Sequence, residues 1–251
     1  MLLTTITTYL DTLLNTALVS DHSNAKNGLQ LANNGNVTRI VVAVDACQAV
    51  IEEAIEQKAD LLIVHHGLFW QGLQPLTGAF YKKIKLAMDH NLAIYSSHIP
   101  LDLHPTIGNN VLLACALTLY ELRPALRWQG ESIGVKGSTK PITRDKFLKK
   151  VGTVVEGPIH LAPGGPSIIK KVLIVTGGAG SEVAAAFAEG VDTFVTGEGP
   201  HWSYTTAEEL GINLIYAGHY ATETFGVKAL GEMLSKKFQL AWSFIHHPTG
   251  L

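Results

Sequence analysis

Laying Ile40-Val41-Val42-Ala43-Val44 over Val172-Leu173-Ile174-Val175-Thr176 sets an offset of 132 residues, and that offset carries Ala59 to Gly67 onto Val191 to Gly199 without a gap. Each copy reads as a short apolar strand, a helix with Ala and Glu at helical spacing, and a second apolar strand ending in Gly. That is a βαβ unit of a parallel sheet. After an intervening helix, Asn91 to His98 matches Ile212 to His219 at an offset of 121, which a shorter linker in the second copy explains. Asp102 follows His98 by four residues and Glu223 follows His219 by four, so each copy carries a strand ending in His-x-x-x-acid. Apolar strands and Ala-rich helices often match by chance; the repeated His-x-x-x-acid separates this match from coincidence. The expected fold is α/β, with two linked half-domains related by the repeat. The first spans residues 1–122 and the second 123–251. The segment from Glu121 to Lys170 is rich in Pro, Gly and Lys and belongs to neither repeat core. It holds a strand at Ile133-Gly134-Val135 and a helix from about Thr143 to Val154 with Thr143 as N-cap, so 123–170 reads as an insertion in the second half. The C-terminal strand, Leu240 to Ile245, is free to return to the first half.

The chain has 251 residues, 47% of them hydrophobic, and a mean hydropathy of +0.20, enough for a large buried core. A formal net charge of −2 with no block of Lys or Arg argues against capture of a nucleic-acid backbone or an anionic membrane. Met1 to Leu18 reads as an amphipathic helix without a basic start or an unbroken apolar centre, and no window approaches a membrane span. The expected compartment is the cytoplasm. The two cysteines, Cys47 and Cys115, lie far apart in apolar helix-like contexts, which suits buried, inert thiols.

The chemistry concentrates after the strands, where open α/β sheets collect ligands. His65 and His66 close the run Asp60-Leu61-Leu62-Ile63-Val64. Neighbouring strand residues point to opposite faces, so such a pair serves one site only where the strand ends and the chain turns, which Gly67 permits. The candidates are His65, His66, His98, Asp102, His104, His219 and Glu223, with Glu198 and His201 near the position equivalent to the first pair. Imidazoles mixed with carboxylates suit Fe, Zn, Mn, Co or Ni, and the lack of thiolates argues against a closed structural zinc site. The ligands are too many for one open catalytic zinc, and a bridging carboxylate holds a pair of ions. The expected site therefore lies between the halves and holds two divalent ions. His22, His90 and His160 read as hydrogen-bonded structural residues, His246-His247 as surface, and His104 as a turn residue behind the ligands. The run Thr176-Gly177-Gly178-Ala179-Gly180-Ser181 lacks the spacing of a phosphate loop and reads as a tight turn that lets a helix pack closely.

Val64-His65-His66-Gly67 with Phe69-Trp70, Ser97-His98-Ile99-Pro100-Leu101-Asp102, Thr176-Gly177-Gly178-Ala179-Gly180, Thr196-Gly197-Glu198, and Gly218-His219-Tyr220-Ala221-Thr222-Glu223 occur here in an order that resembles the signature stretches of the NIF-three-like dinuclear metal-centre family, of the bacterial YbgI type. Asn27-Gly28-Leu29-Gln30 matches as well, so the resemblance covers nearly the whole chain. It implies that His65, His66, Asp102, His219 and Glu223 bind two metal ions, with His98 close by but not a firm ligand. It also implies two linked α/β domains and a toroidal homohexamer; members often carry a GTP cyclohydrolase type label. The expected activity is metal-dependent hydrolysis of a nucleotide or similar small molecule by a metal-bound hydroxide, with His98 or Glu198 transferring protons. The competing expectation is a non-enzymatic metal-handling or regulatory scaffold protein.

Overall fold

The computed structural model describes residues 1–72 and 74–251 and divides into two compact units, Met1–Leu101 with Gly226–His247, and Asp102–Phe225 with Pro248–Leu251. In chain order the elements begin α1 (Leu3–Leu13), β1 (Gly28–Leu31), β2 (Arg39–Asp45), α2 (Gln48–Glu56), β3 (Leu61–His66), α3 (Gly78–Asp89), β4 (Ala93–Ser96) and α4 (Ile99–Asp102). There follow α5 (Asn109–Ala116), β5 (Tyr120–Trp128), β6 (Glu131–Thr143), α6 (Arg144–Val155), β7 (His160–Pro163), β8 (Ile168–Ile174), α7 (Val183–Ala188), β9 (Thr193–Thr196), α8 (His201–Leu210), β10 (Asn213–Tyr216) and α9 (His219–Thr222). The chain closes with α10 (Thr224–Phe238) and β11 (Ala241–Phe244).

The first unit is built on a sheet ordered β1-β4-β3-β2-β11. Strands β4, β3, β2 and β11 run parallel and β1 is an antiparallel edge. Ile40 to Val44 and Leu61 to Val64 are almost wholly buried, which is why they read as unbroken apolar runs and not as alternating ones. Helix α2 buries Val50, Ile51 and Ala54, and α1 buries Leu3, Ile6 and Leu10, both at the spacing of one helical face. Each Leu or Ile so buried contributes roughly 1.5–3 kcal/mol. Helix α1 stops at Leu13 instead of running to Leu18, because Asn15 adopts a left-handed φ of 50° that a helix cannot continue through.

The second unit carries a sheet ordered β5-β6-β8-β9-β10-β7, in which β8, β9 and β10 are parallel. Its flanking hairpin β5–β6 turns through Gln129 and Gly130, both at positive φ (47° and 92°), as a two-residue turn matching strand twist requires. Thr143 occupies the N-cap of α6, although its side chain makes no capping bond.

The repeat is real at the level of hydrogen-bond register. Ile40 pairs with Leu61 and Val172 with Thr193, each 132 apart from its counterpart, and two further pairs follow in step. Asp60 accepts the backbone N–H groups of Thr38 and Arg39. Asp192 does the same for Lys170 and Lys171. The third strand departs from expectation. Leu61 pairs with Ala93 and Thr193 with Asn213, so the structural offset is 120 and not 121. His98 is therefore equivalent to Gly218, and His219 to Ile99. A slip of one residue moves every side chain to the other face of a strand, so matching by residue type puts the third strand one position out.

Two other expectations are corrected. Residues 102–122 belong with the second sheet, since Leu113, Ala114 and Leu117 of the α5 region pack against Phe147, Val151, Val172 and Ile174. The C-terminal strand does return to the first sheet, as the sequence allowed: β11 pairs with β2, and α10 goes with it. Cys115 is exposed and Cys47 only partly buried, because Cys115 sits on the face of α5 opposite its buried residues. No helix among the described residues is long and apolar enough to cross a membrane.

Candidate metal centre

In the first unit, β3 ends at His66 and β4 at Ser96, which brings His65, His66 and His98 together. One ligand nitrogen of each lies within 4.8 Å of the others. The chain turns at Gly67, where the side chain of Gln30 occupies the space a Cβ would need. Gln30 accepts from the Leu68 N–H at 2.6 Å and donates to the Lys26 carbonyl at 2.8 Å, fixing the turn. His65 Nδ1 donates to the Ser97 carbonyl at 2.9 Å, His66 Nδ1 to Asp45 Oδ1 at 2.8 Å, and His98 Nδ1 to Asp21 Oδ1 at 2.8 Å. With the proton committed to Nδ1, the lone pair sits on Nε2.

Asp21 also accepts from Asn27 Nδ2 and from the backbone N–H of His22 and Ile99. Burial alone would raise its carboxyl, but the hydrogen bonds and charge of His98, with the hydrogen bonds of Asn27 and His22, hold it below the usual range. Trp70 packs edge-on to His98 at 4.7 Å and against His66 at 5.2 Å between ring centroids.

In the second unit, Asp102 is 8% exposed and Glu223 2%. Asp102 Oδ1 accepts from Asn109 Nδ2 at 2.7 Å. Asn110 donates to the carbonyls of Asp102 and Ile133 and accepts from Thr176 N–H at 2.8 Å, so it ties Asp102 to the Gly-rich turn after β8. That turn serves close approach: Gly177, at φ 71°, leaves the space a Cβ would take to Glu223, with His219 Nε2 behind it. His219 donates from Nδ1 to Glu198 Oε1 at 2.8 Å and faces Glu223 Oε2 through Nε2 at 3.2 Å. Burial lowers the affinity of His219 for a proton, yet Glu223 and then Glu198 outweigh it and push its pKa up to about 9.

The donor set fits a metal. Each of these four imidazoles is oriented by an acceptor on Nδ1, the arrangement that fixes tautomer and direction in metal-ligating histidines. A cation can take the place of the proton that His219 holds between two carboxylates. His104 differs: its Nδ1 accepts from Thr106 and Ile107 N–H, which makes it a turn-stabilising residue, and burial lowers its pKa. His201 begins α8, and His246 and His247 are exposed. Asp45 and Asp21 were not singled out from sequence. A signal existed for Asp45, which ends β2 in register with His66; none existed for Asp21, 77 residues from His98.

Comparisons with known proteins agree with this architecture. The chain is 40% identical over 227 residues to the GTP cyclohydrolase 1 type 2 homolog of Deinococcus radiodurans, covering 90% of this chain and 86% of the relative. It is 39% identical over 251 residues to the protein of the same name from Pyrococcus abyssi, covering 98% of each. Among solved structures, ybgI, described as of unknown function, superposes with a TM-score of 0.93 at 33% identity over 100% of both chains. TTHA1606 from Thermus thermophilus gives 0.90 at 35% identity, again over 100% of both. A family profile described as Duf34/NIF3 (NGG1p interacting factor 3) matches residues 1–249, and the chain belongs to the Duf34/NIF3 family.

Proposed function

We propose that His65, His66, Asp102, His219 and Glu223 hold two divalent metal ions, from among Fe, Zn, Mn, Co and Ni, and that the protein is a metal-dependent hydrolase of a nucleotide or similar small molecule. The observation that carries this reading is the shared setting of four histidines, each with its ring oriented by an acceptor at Nδ1. Bound ions of this kind supply Lewis acidity and lower the pKa of water toward about 7. His98 takes or gives a proton at Nε2 while Asp21 holds its ring. Glu198, the other candidate for proton transfer, is assigned the task of orienting His219. Trp70 packs its ring against His98 and His66 on one side. The name carried by the curated relatives supports a nucleotide substrate, and the same kinship supports a homohexamer, which light scattering would report as six chains and contradict as one.

The test is metal analysis of the purified protein followed by turnover assays on a panel of nucleotides and phosphoesters, with wild type beside His98→Ala. The expected outcome is turnover that disappears on metal removal and falls about 100-fold or more in His98→Ala, the usual contribution of a general acid or base. Turnover that persists without metal contradicts the proposal, as does tightly held exchangeable metal with no turnover on any substrate, the behaviour of a metal-handling scaffold.

A further inference from the structure

Beside Glu198 the second unit opens a cavity of about 510 Å³, within the range of small-molecule sites. Its wall is aromatic. Antiparallel pairing of β7 with β10 sets His160 opposite Tyr216, and their rings lie at 25° with centroids 6.0 Å apart. Tyr204, from α8, brings its ring to 5.6 Å from His160 at 34°. The wall is also fixed in place. Ser203 is fully buried and commits its hydroxyl proton to the Pro200 carbonyl at 2.6 Å. It therefore receives the Tyr216 hydroxyl proton at 2.7 Å, locking that ring. Gly199 lets the ring lie against the main chain, since a Cβ there would sit 3.0 Å from Tyr216 Cε1.

At one edge stands Glu198. One of its oxygens receives His219 Nδ1, and the side chain remains 46% exposed. Aromatic faces beside a half-exposed carboxylate match a flat ring that carries N–H donors on its rim: the faces take the π surface and the carboxylate takes the donors. A purely apolar ring would leave the carboxylate desolvated without a partner, at a cost, and a negatively charged group placed against it would be repelled.

We infer that this pocket binds the heteroaromatic ring of the ligand, of amino-purine type, against His160, Tyr204 and Tyr216 with its N–H groups toward Glu198. The inference rests on the hydrolase reading only in supposing that the remainder of the ligand extends toward His219. It changes the reading of His160 from a structural histidine to a ring-binding one.

The probe is 2-aminopurine riboside, whose fluorescence is quenched on stacking, titrated into the full-length protein both as purified and after chelator treatment. Saturable quenching is expected in both forms. His160→Ala and Tyr204→Ala should each weaken binding about tenfold, in line with the loss of one stacking partner, whereas Tyr204→Phe should stay within about twofold. Absence of saturable quenching, or equal affinity in the alanine variants with unchanged circular dichroism, overturns the inference. His160 is exposed, so its variant remains informative even if Tyr204→Ala fails to fold. The outcomes separate from those of the hydrolase test. Ring binding without turnover leaves the pocket standing and removes the hydrolase, while nucleotide turnover with an unchanged KM in His160→Ala does the reverse.

Discussion

Position 45 in the first repeat is an aspartate that grips His66, while its counterpart in the second repeat, 132 residues on, is Gly177, whose missing side chain makes room for Glu223. His66 itself corresponds to Glu198. The first copy thus gathers imidazoles, with its carboxylates Asp21 and Asp45 holding Nδ1 protons. The second gathers carboxylates around a single imidazole, His219. The strand register, the buried strands and the aspartate that fastens the start of the first strand are shared. The framework tolerates this divergence because its stability comes from apolar strands, whereas the residues just past their ends contribute little to the core.

If the framework is shared, equivalent core truncations should hurt alike. Leu62 and Phe194 occupy the same place in β3 and β9, each fully buried. Leu62→Ala is expected to cost about 2–5 kcal/mol and Phe194→Ala about 3–5 kcal/mol, read from urea unfolding curves for each unit's transition. A loss below about 1 kcal/mol at either position would show that the repeats are not energetically equivalent. A smaller and sharper comparison uses the paired aspartates. Asp60→Ala and Asp192→Ala each leave two backbone N–H groups without their charged acceptor, a loss of roughly 1.5–3 kcal/mol, and the two should agree within about 1 kcal/mol. A wide split would mean that the shared geometry conceals different local support.

Much of this framework was legible in the sequence because gapless apolar matches preserve strand register. The third strand was not, since a Tyr in each copy invited an alignment one residue out of step: Tyr95 faces the core and donates to Asp11 at 2.7 Å, while Tyr216 faces the aromatic pocket. The boundary between the halves also escaped sequence reading, because nothing local announces that the α5 region will pack against the second sheet and not the first. The ligand candidates stood out as His residues at or just past strand ends and acids about one helical turn beyond them. The residues that orient them did not, for a hydrogen bond such as His98 to Asp21 joins segments that only the folded chain brings together.

The divergence at positions 45 and 177 gives the smallest expected effect and the most specific. Asp45→Ala removes the acceptor that orients His66 and should weaken metal binding about tenfold to a hundredfold. Gly177→Ala forces a methyl group toward Glu223 at a left-handed φ and should weaken it to a similar degree from the other side. Equilibrium dialysis against a buffered metal series checks both; affinity unchanged in either variant would detach that residue from the centre.

The central claim is that Glu223 holds metal while His98 serves chemistry beside it. Elemental analysis of wild type, Glu223→Ala and His98→Ala, each with circular dichroism, tests it most directly. About two ions per chain are expected in wild type and in His98→Ala, with a near-complete loss in Glu223→Ala, whose substitution takes away a negative charge that holds the cations. All three should keep the same fold, since the large apolar core does not depend on ions. Equal metal retention in the two variants, or collapse of the Glu223→Ala fold, would contradict it.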